Sequence, residues 1–330
     1  MPLFFAQVEF FPTQASTSAE RVDALFFFLL GISTIISLGI LATVVYFAIR
    51  YRRRPGTPIP PRITSSLKLE LTWTIIPLII SLGMFAWGAR VYFYVSQPPP
   101  GGDEVYVVGK QWMWKLQHQQ GQREINELHL PVGQPVRLTL TSEDVIHSFF
   151  VPDFRAKIDV LPGRYVHLWF EPTKIGRYDL FCSQYCGTNH SGMIGTVVVT
   201  SRADYEHWLD AHAEGSLALE GRKIFLKYRC VSCHSADAHA RAPVLENLYL
   251  QCVALRNGGF ALADDNYLRN SVMKPDAQVV LGYEPIMPTF QGQISEEEMV
   301  ALLAFLKSLK AGETPSRVES FPPPVAPPKK

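Results

Sequence analysis

Four of the chain's five cysteines fall into two tight pairs, Cys182 with Cys186 and Cys230 with Cys233, while Cys252 stands alone. The first pair opens the run Cys182-Ser-Gln-Tyr-Cys186-Gly-Thr-Asn-His190-Ser-Gly-Met193, four soft or borderline ligands within 12 residues. Thiolate, imidazole and thioether together select copper, and a Cys–His–Met loop beside a distant His is the blue-copper arrangement. The distant His is His147, in Ser142-Glu-Asp-Val-Ile-His147-Ser-Phe. A mononuclear blue site has one thiolate; here a second, with three residues between, gives two sulfurs that can bridge two metals. Two other readings use the same residues. A Cys₂His₂ zinc site would take His147, both thiolates and His190 in tetrahedral geometry. A Cys182–Cys186 disulfide suits an oxidising compartment, but it leaves His190 and Met193 without a role.

The second pair sits in Cys230-Val-Ser-Cys233-His234, the C-x-x-C-H signature of c-type haem attachment. Two thiols form thioethers to the haem vinyls, and the adjacent imidazole reaches the iron. A lone C-x-x-C would equally serve a redox dithiol or half a zinc site; the fifth residue and the helical patterns on either side favour haem. The second axial ligand must come from downstream, from Met273, Met287 or Met299. Met299 lies on the apolar face of a capped helix and reads as core. Met287 sits in Glu284-Pro-Ile-Met287-Pro-Thr-Phe, between two prolines that stiffen the loop, and is the expected ligand, with Met273 the alternative. His–Met ligation raises the reduction potential. Cys252 reads as a small buried hydrophobe.

Elements must hold these groups, and composition says where. Of 330 residues 47% are hydrophobic and only 18% charged, so membrane spans are expected; a net charge of +1 argues against a nucleic-acid partner. No charge interrupts Ala24 to Ile49 or Leu71 to Ala89, and each run is long enough to span a bilayer. The first is too long for a signal h-region and has no basic n-region before it. The connection carries Arg50, Arg52, Arg53, Arg54, Arg62 and Lys68 against one Glu70, so it belongs on the cytoplasmic side with both termini outside. Pro77 is expected to kink the second span.

After the break Gln97-Pro-Pro-Pro-Gly-Gly102, segments 105–108, 136–140, 166–170 and 195–199 are rich in β-branched and aromatic residues and are separated by turns. They predict a β-sandwich or barrel of about 100 residues. Helices are predicted over 203–213 and 219–228. A third opens at the capping box Ser295/Glu298 and buries Met299, Leu302, Leu303 and Leu306. The tail 322–330 is proline-rich. The expected organisation is residues 1–100 for the N-terminal segment and hairpin (spans about 24–49 and 71–93), 101–202 for the copper domain, 203–215 for a linker helix, 216–311 for the haem domain and 312–330 for the tail.

On the Cys182–Met193 run, the chain resembles subunit II of the haem-copper cytochrome c oxidases over residues 15 to 210. Residues 216 to 311 resemble a class I cytochrome c, a fusion similar to the caa-type oxidases. The resemblance implies a multidomain membrane protein: a two-helix transmembrane hairpin, a cupredoxin-like β-barrel and an all-α cytochrome c domain. It implies a dinuclear CuA centre with Cys182 and Cys186 as bridging thiolates, His147 and His190 binding one copper each, Met193 a weak ligand and Gln184 giving its backbone carbonyl. Gly109-Lys-Gln-Trp112-Met-Trp114 matches the family's aromatic segment, in which the position of Trp112 is linked to electron entry; a packed core aromatic is the other reading. The family's glutamate at Gln184 serves a magnesium or manganese ion at the contact with subunit I, and a neutral amide is a poorer ligand for a hard cation. Pro243 matches the proline whose carbonyl orients the haem histidine. Glu70 matches a glutamate near a proton pathway; it reads equally as a hydrated interfacial residue.

The implied function is electron input to a respiratory oxidase of the bacterial inner (cell) membrane. Electrons pass from covalent haem c to CuA and on to subunit I, where oxygen is reduced and protons are translocated. Partners are subunits I and III, an upstream cytochrome c or quinol-oxidising complex, and membrane lipid. The competing functions are a CuA-bearing nitric oxide reductase subunit and a membrane-tethered electron carrier.

Overall fold

The computed structural model describes residues 11–54, 56, 65–212, 215–234 and 241–309. The expected roles of Arg62 in the basic connection and of the proline-rich tail lie outside those residues. Two long helices come first, α1 (Thr17–Arg50) and α2 (Leu67–Ser96). Ser16 caps α1 by accepting from the Ala19 N–H. Both apolar stretches are long enough to cross a membrane, and their side chains face outward rather than into a protein core. Phe28 meets Trp87 across the pair, with ring centroids 5.2 Å apart. Pro77 lies inside α2, which runs through it as one helix.

The N-terminal end of α1 and the C-terminal end of α2 are fastened to the next domain. Asp23 of α1 receives Arg155 Nε and Nη2, each at 2.8 Å, and the pair is almost wholly buried. Arg155 adopts a left-handed φ of 51° and also donates to the Pro12, Thr13 and Pro152 carbonyls. Tyr94 of α2 packs edge-on against Trp169, and its hydroxyl donates to Thr17 Oγ1 at 3.2 Å.

Ten strands follow, in two five-stranded sheets. They are β1 (Asp103–Lys110), β2 (Met113–His118), β3 (Arg123–Ile125), β4 (Glu127–Pro131), β5 (Val136–Ser142), β6 (His147–Val151), β7 (Ala156–Val160), β8 (Val166–Phe170), β9 (Gly176–Cys182) and β10 (Ile194–Thr200). One sheet runs β3-β2-β1-β5-β8 and the other β4-β10-β9-β6-β7, with β1–β5 and β4–β10 parallel and the remaining pairs antiparallel. The four predicted strand segments fall in β1, β5, β8 and β10. Inward residues of both sheets, among them Trp114, Leu138, Phe149, Leu180 and Val197, form one core. This is a curled, cupredoxin-like domain.

Helix α3 (Arg202–Ala211) lies against it. Trp208 stacks on His129 at 4.5 Å, and Tyr205 OH meets His118, which shares Glu124 with His129. The C-terminal domain carries α4 (Leu217–Lys227), α5 (Asp265–Met273) and α6 (Glu296–Ser308), with both halves of the α6 capping box made. Helices α4 and α6 cross tightly at Gly221, where a Cβ would stand 1.9 Å from the Ala301 carbonyl oxygen. Strands β11 (Cys252–Ala254) and β12 (Phe260–Leu262) add a short hairpin to this helical domain. Cys252 is exposed on it, contrary to the buried role expected: in a three-residue strand at the surface its side chain has no core to enter.

Strand β1 is buried on both faces. Val105 and Val107 enter the β-domain core, whereas Tyr106 and Val108 join the hydrophobic cluster of the C-terminal domain. The unbroken Val105-Tyr-Val-Val108 run, which lacks polar alternation, is what a strand covered on both sides requires.

Candidate metal and cofactor sites

Strand β6 opens on His147 and β9 closes on Cys182, and the two strands pair through Phe149 and Cys182. The remaining donors lie on the loop from Cys182 to β10. That pairing brings the distant imidazole to the cysteine loop. Cys182 Sγ and Cys186 Sγ stand 3.7 Å apart as free thiols. His147 Nδ1 is 3.9 Å from Cys182 Sγ, and His190 Nδ1 is 3.5 Å from Cys186 Sγ. Met193 Sδ lies 3.9 Å from Cys186 Sγ, and the Gln184 carbonyl 3.3 Å from Cys182 Sγ. All six expected donors thus converge. Among the described residues His147, Cys182 and Cys186 are the group close enough to hold a metal ion through His, Cys or carboxylate atoms. Both thiols, His147 and Met193 are buried, whereas Gln184 and Tyr185 stand exposed at the loop tip.

Burial alone would raise both thiols. His147 and the backbone groups around Cys182 overcome it there and lower that thiol's pKa; burial and the neighbouring Cys182 push the Cys186 thiol up. Such a pair, two sulfurs with one tightly held proton, is a donor set that a soft metal completes by displacing that proton. Among metals, this sulfur-rich set with two imidazoles fits copper or zinc.

Asp144 and Gln111 were not singled out from the sequence. Asp144 Oδ1 meets His147 Nε2 at 2.8 Å, leaving Nδ1 toward the sulfurs. Its Oδ2 accepts the Gln111 N–H at 2.8 Å, and the Gln111 side chain donates to the Cys186 carbonyl at 2.8 Å. The signal for Asp144 was its place three residues before His147 in a turn-forming segment. Trp112 is partly buried and packs beside the same loop at Gly187, whose φ is 123° and where a Cβ would come within 3.2 Å of the indole. Its indole N–H has no partner among the described residues.

In the C-terminal domain a cavity of about 500 Å³ is lined by Cys230, Cys233, His234 and Met287 together with an apolar wall that includes Phe225, Leu268, Leu302 and Leu306. Its size and lining suit a large flat apolar cofactor, and Cys230 and Cys233 are free. His234 Nδ1 lies 2.8 Å from the Pro243 carbonyl. A carbonyl only accepts, so Nδ1 carries the proton and Nε2 keeps its lone pair. Burial lowers the pKa of this histidine further than the Pro243 carbonyl raises it, which favours the neutral, ligating form. Met273 is packed in the core and is not among the cavity's lining residues, whereas Met287 is.

Three family models match this chain: cytochrome c oxidase subunit II, periplasmic domain, over residues 104–201; the transmembrane domain of the same subunit over 5–87; and cytochrome c over 218–310. A cytochrome c oxidase subunit 2 of Alkalihalophilus pseudofirmus is 31% identical over 303 residues, covering 86% of this chain and 86% of that protein. Another, from Thermostichus vulcanus, is 31% identical over 253 residues, covering 60% of this chain and 76% of its own. A crystal structure of the periplasmic domain of subunit II of cytochrome oxidase of Bradyrhizobium japonicum aligns with 28% identity and a TM-score of 0.34, covering 35% of this chain and 96% of that one.

Proposed function

Because this chain belongs to the cytochrome c oxidase subunit II family, and so to a haem-copper oxidase in which it is expected to partner subunit I, we propose that it is the complex's electron-input subunit. In this reading it carries a dinuclear copper centre and one covalent haem c. His147, Cys182, Cys186, His190, Met193 and the Gln184 carbonyl would hold the coppers. Cys230 and Cys233 would hold the haem covalently, and His234 and Met287 would bind its iron. When bound, these groups supply one-electron transfer, from haem to copper and on toward subunit I.

The chain's own residues prepare those positions. Asp144 orients the His147 ring, Pro243 fixes the His234 tautomer, and the sheets keep water from both thiols. Trp112, packed on the copper loop, is proposed as the aromatic through which electrons reach it. Gln184 contributes only backbone oxygen here, and no magnesium is assigned to its neutral amide. The two apolar helices and the family fit an inner-membrane protein. The basic connection supports an orientation with both cofactor domains outside. Subunit III and an upstream cytochrome c or quinol-oxidising complex are the further partners this reading implies.

The observation that carries the proposal is the convergence of six sulfur, imidazole and carbonyl donors in one domain beside a separate His–Met cavity in the next. Metal analysis and electron paramagnetic resonance of the purified complex test it. The expected result is two coppers and one haem iron in this subunit, with a mixed-valence signal shared by both coppers. One zinc and no copper uptake would end the copper reading.

A further inference from the structure

The haem domain could hang on its linker or be fixed to the copper domain, and the contact between them separates these cases. Lys307, in the last turn of α6, is mostly buried. Its Nζ donates to Glu104 Oε1 at 2.8 Å, to Glu104 Oε2 at 3.0 Å and to Tyr106 OH at 3.1 Å, all three on β1. Within its own domain it lies 3.3 Å from Asp265 Oδ1, an ion-pair contact without hydrogen-bond alignment. Asp265 is 1% exposed, and its other oxygen faces Arg137 at 3.7 Å and His167 at 3.6 Å from the copper domain. Glu104 also accepts from Thr139 at 2.8 Å.

Each domain brings one cation and one anion, Lys307 with Asp265 and Arg137 with Glu104. Docking in this register alternates their signs, whereas a shifted register sets like charges together inside a low-dielectric contact. Around this cluster Tyr106, Val108 and Tyr165 of the copper domain complete the hydrophobic cluster of the haem domain. Asn266 brackets the Tyr165 backbone, accepting from its N–H at 2.7 Å and donating to its carbonyl at 3.2 Å; Arg269 donates to the Gly163 carbonyl at 2.9 Å. Weak electron-transfer encounters bury little surface. This contact buries Asp265, Tyr106 and Tyr165 almost completely and is charge-registered. Burial opposes charge on Lys307, yet the surrounding Tyr106, Glu104 and Asp265 oxygens hold its pKa well above the ordinary lysine value.

We propose that Lys307 is a latch that holds the haem domain in one permanent pose on the β1–β5–β8 face, so that the domain does not swing on its linker. The pose stands on the contacts above; only its use in electron transfer rests on the function proposed in the preceding section.

The test uses the full chain in its complex, with spin labels on non-natural residues at the exposed positions Lys157 and Phe260, one in each domain. Double electron–electron resonance should give one narrow distance. Lys307→Met should broaden it and add longer distances, while Lys307→Arg keeps it narrow. A broad distribution in the unsubstituted interface, a measurement that needs no folded variant, would overturn the latch. So would a Lys307→Met protein as narrow as the parent. In parallel, the haem-to-copper phase after flash reduction should keep its rate when glycerol raises the viscosity, and should become viscosity-dependent in Lys307→Met. A parent rate that falls with viscosity counts against the latch. A narrow distance with no intramolecular phase at all leaves the latch standing and overturns the electron route instead.

Discussion

At the scale of single residues, the copper site turns on two thiols 3.7 Å apart that do not ionise alike. Cys182 is lowered and Cys186 raised, so the metal-free pair retains a proton that binding must expel. Metal uptake by the apo chain should therefore weaken as pH falls, with proton release measurable on titration. Cys186→Ser should leave at most one metal at this site by elemental analysis, because only one thiol donor then remains. In the other cavity, Met287→Leu should abolish the thioether-to-iron charge-transfer absorption while haem stain persists on a denaturing gel. Loss of that band in Met273→Leu instead would reassign the ligand. The donors were legible because chemistry restricts which residue types can serve. Asp144, Gln111 and Lys307 were not, since a carboxylate, an amide or an ammonium on the surface of a sequence looks like any other until the fold supplies its partner.

At the scale of elements, β-branched and aromatic runs located β1, β5, β8 and β10, and Ser295/Glu298 located α6 to the residue. Strands β11 and β12 escaped because three-residue strands at the surface leave no periodicity to read. Gly221 lies in the middle of α4, where propensity alone makes glycine a cost to the helix. Its purpose is the crossing with α6, where a Cβ would stand 1.9 Å from the Ala301 oxygen and 2.8 Å from Phe305 Cβ. Gly221→Ala should therefore destabilise the haem domain by about 1–3 kcal/mol or more, despite alanine's better helix propensity. Thermal unfolding followed by haem absorbance would read it. Ser295→Ala, which removes the cap alone, should cost about 1 kcal/mol in the same assay.

At the scale of the whole molecule, the latch sets a pH range. Burial works against the Glu104 carboxylate, but Lys307, Arg137 and Thr139 together outweigh it and the net pKa is lowered, so its contribution is present above its usual value of 4.5 and is lost as pH falls through the lowered one. Lys307 is raised, so its contribution is full below the usual 10.5 and disappears only as pH rises through its elevated value. Interdomain distance should thus stay constant across neutral pH and open first on the acid side, as the spin-label pair can report. A second fastening has a mechanical meaning. Asp23 and Arg155, together with Tyr94 and Trp169, pin the N-terminal end of α1 and the C-terminal end of α2 to the β-domain. Asp23→Asn should cost about 3–5 kcal/mol by stranding a buried guanidinium, seen as earlier loss of copper on heating. A helix of 34 residues is about 51 Å long against a hydrocarbon layer of about 30 Å, so α1 has length to spare and meets a thinner bilayer by leaning. With its end pinned, the lean cannot be absorbed at a hinge: hairpin and β-domain turn together as one lever, and a change of lipid chain length should tilt the copper loop along with α1.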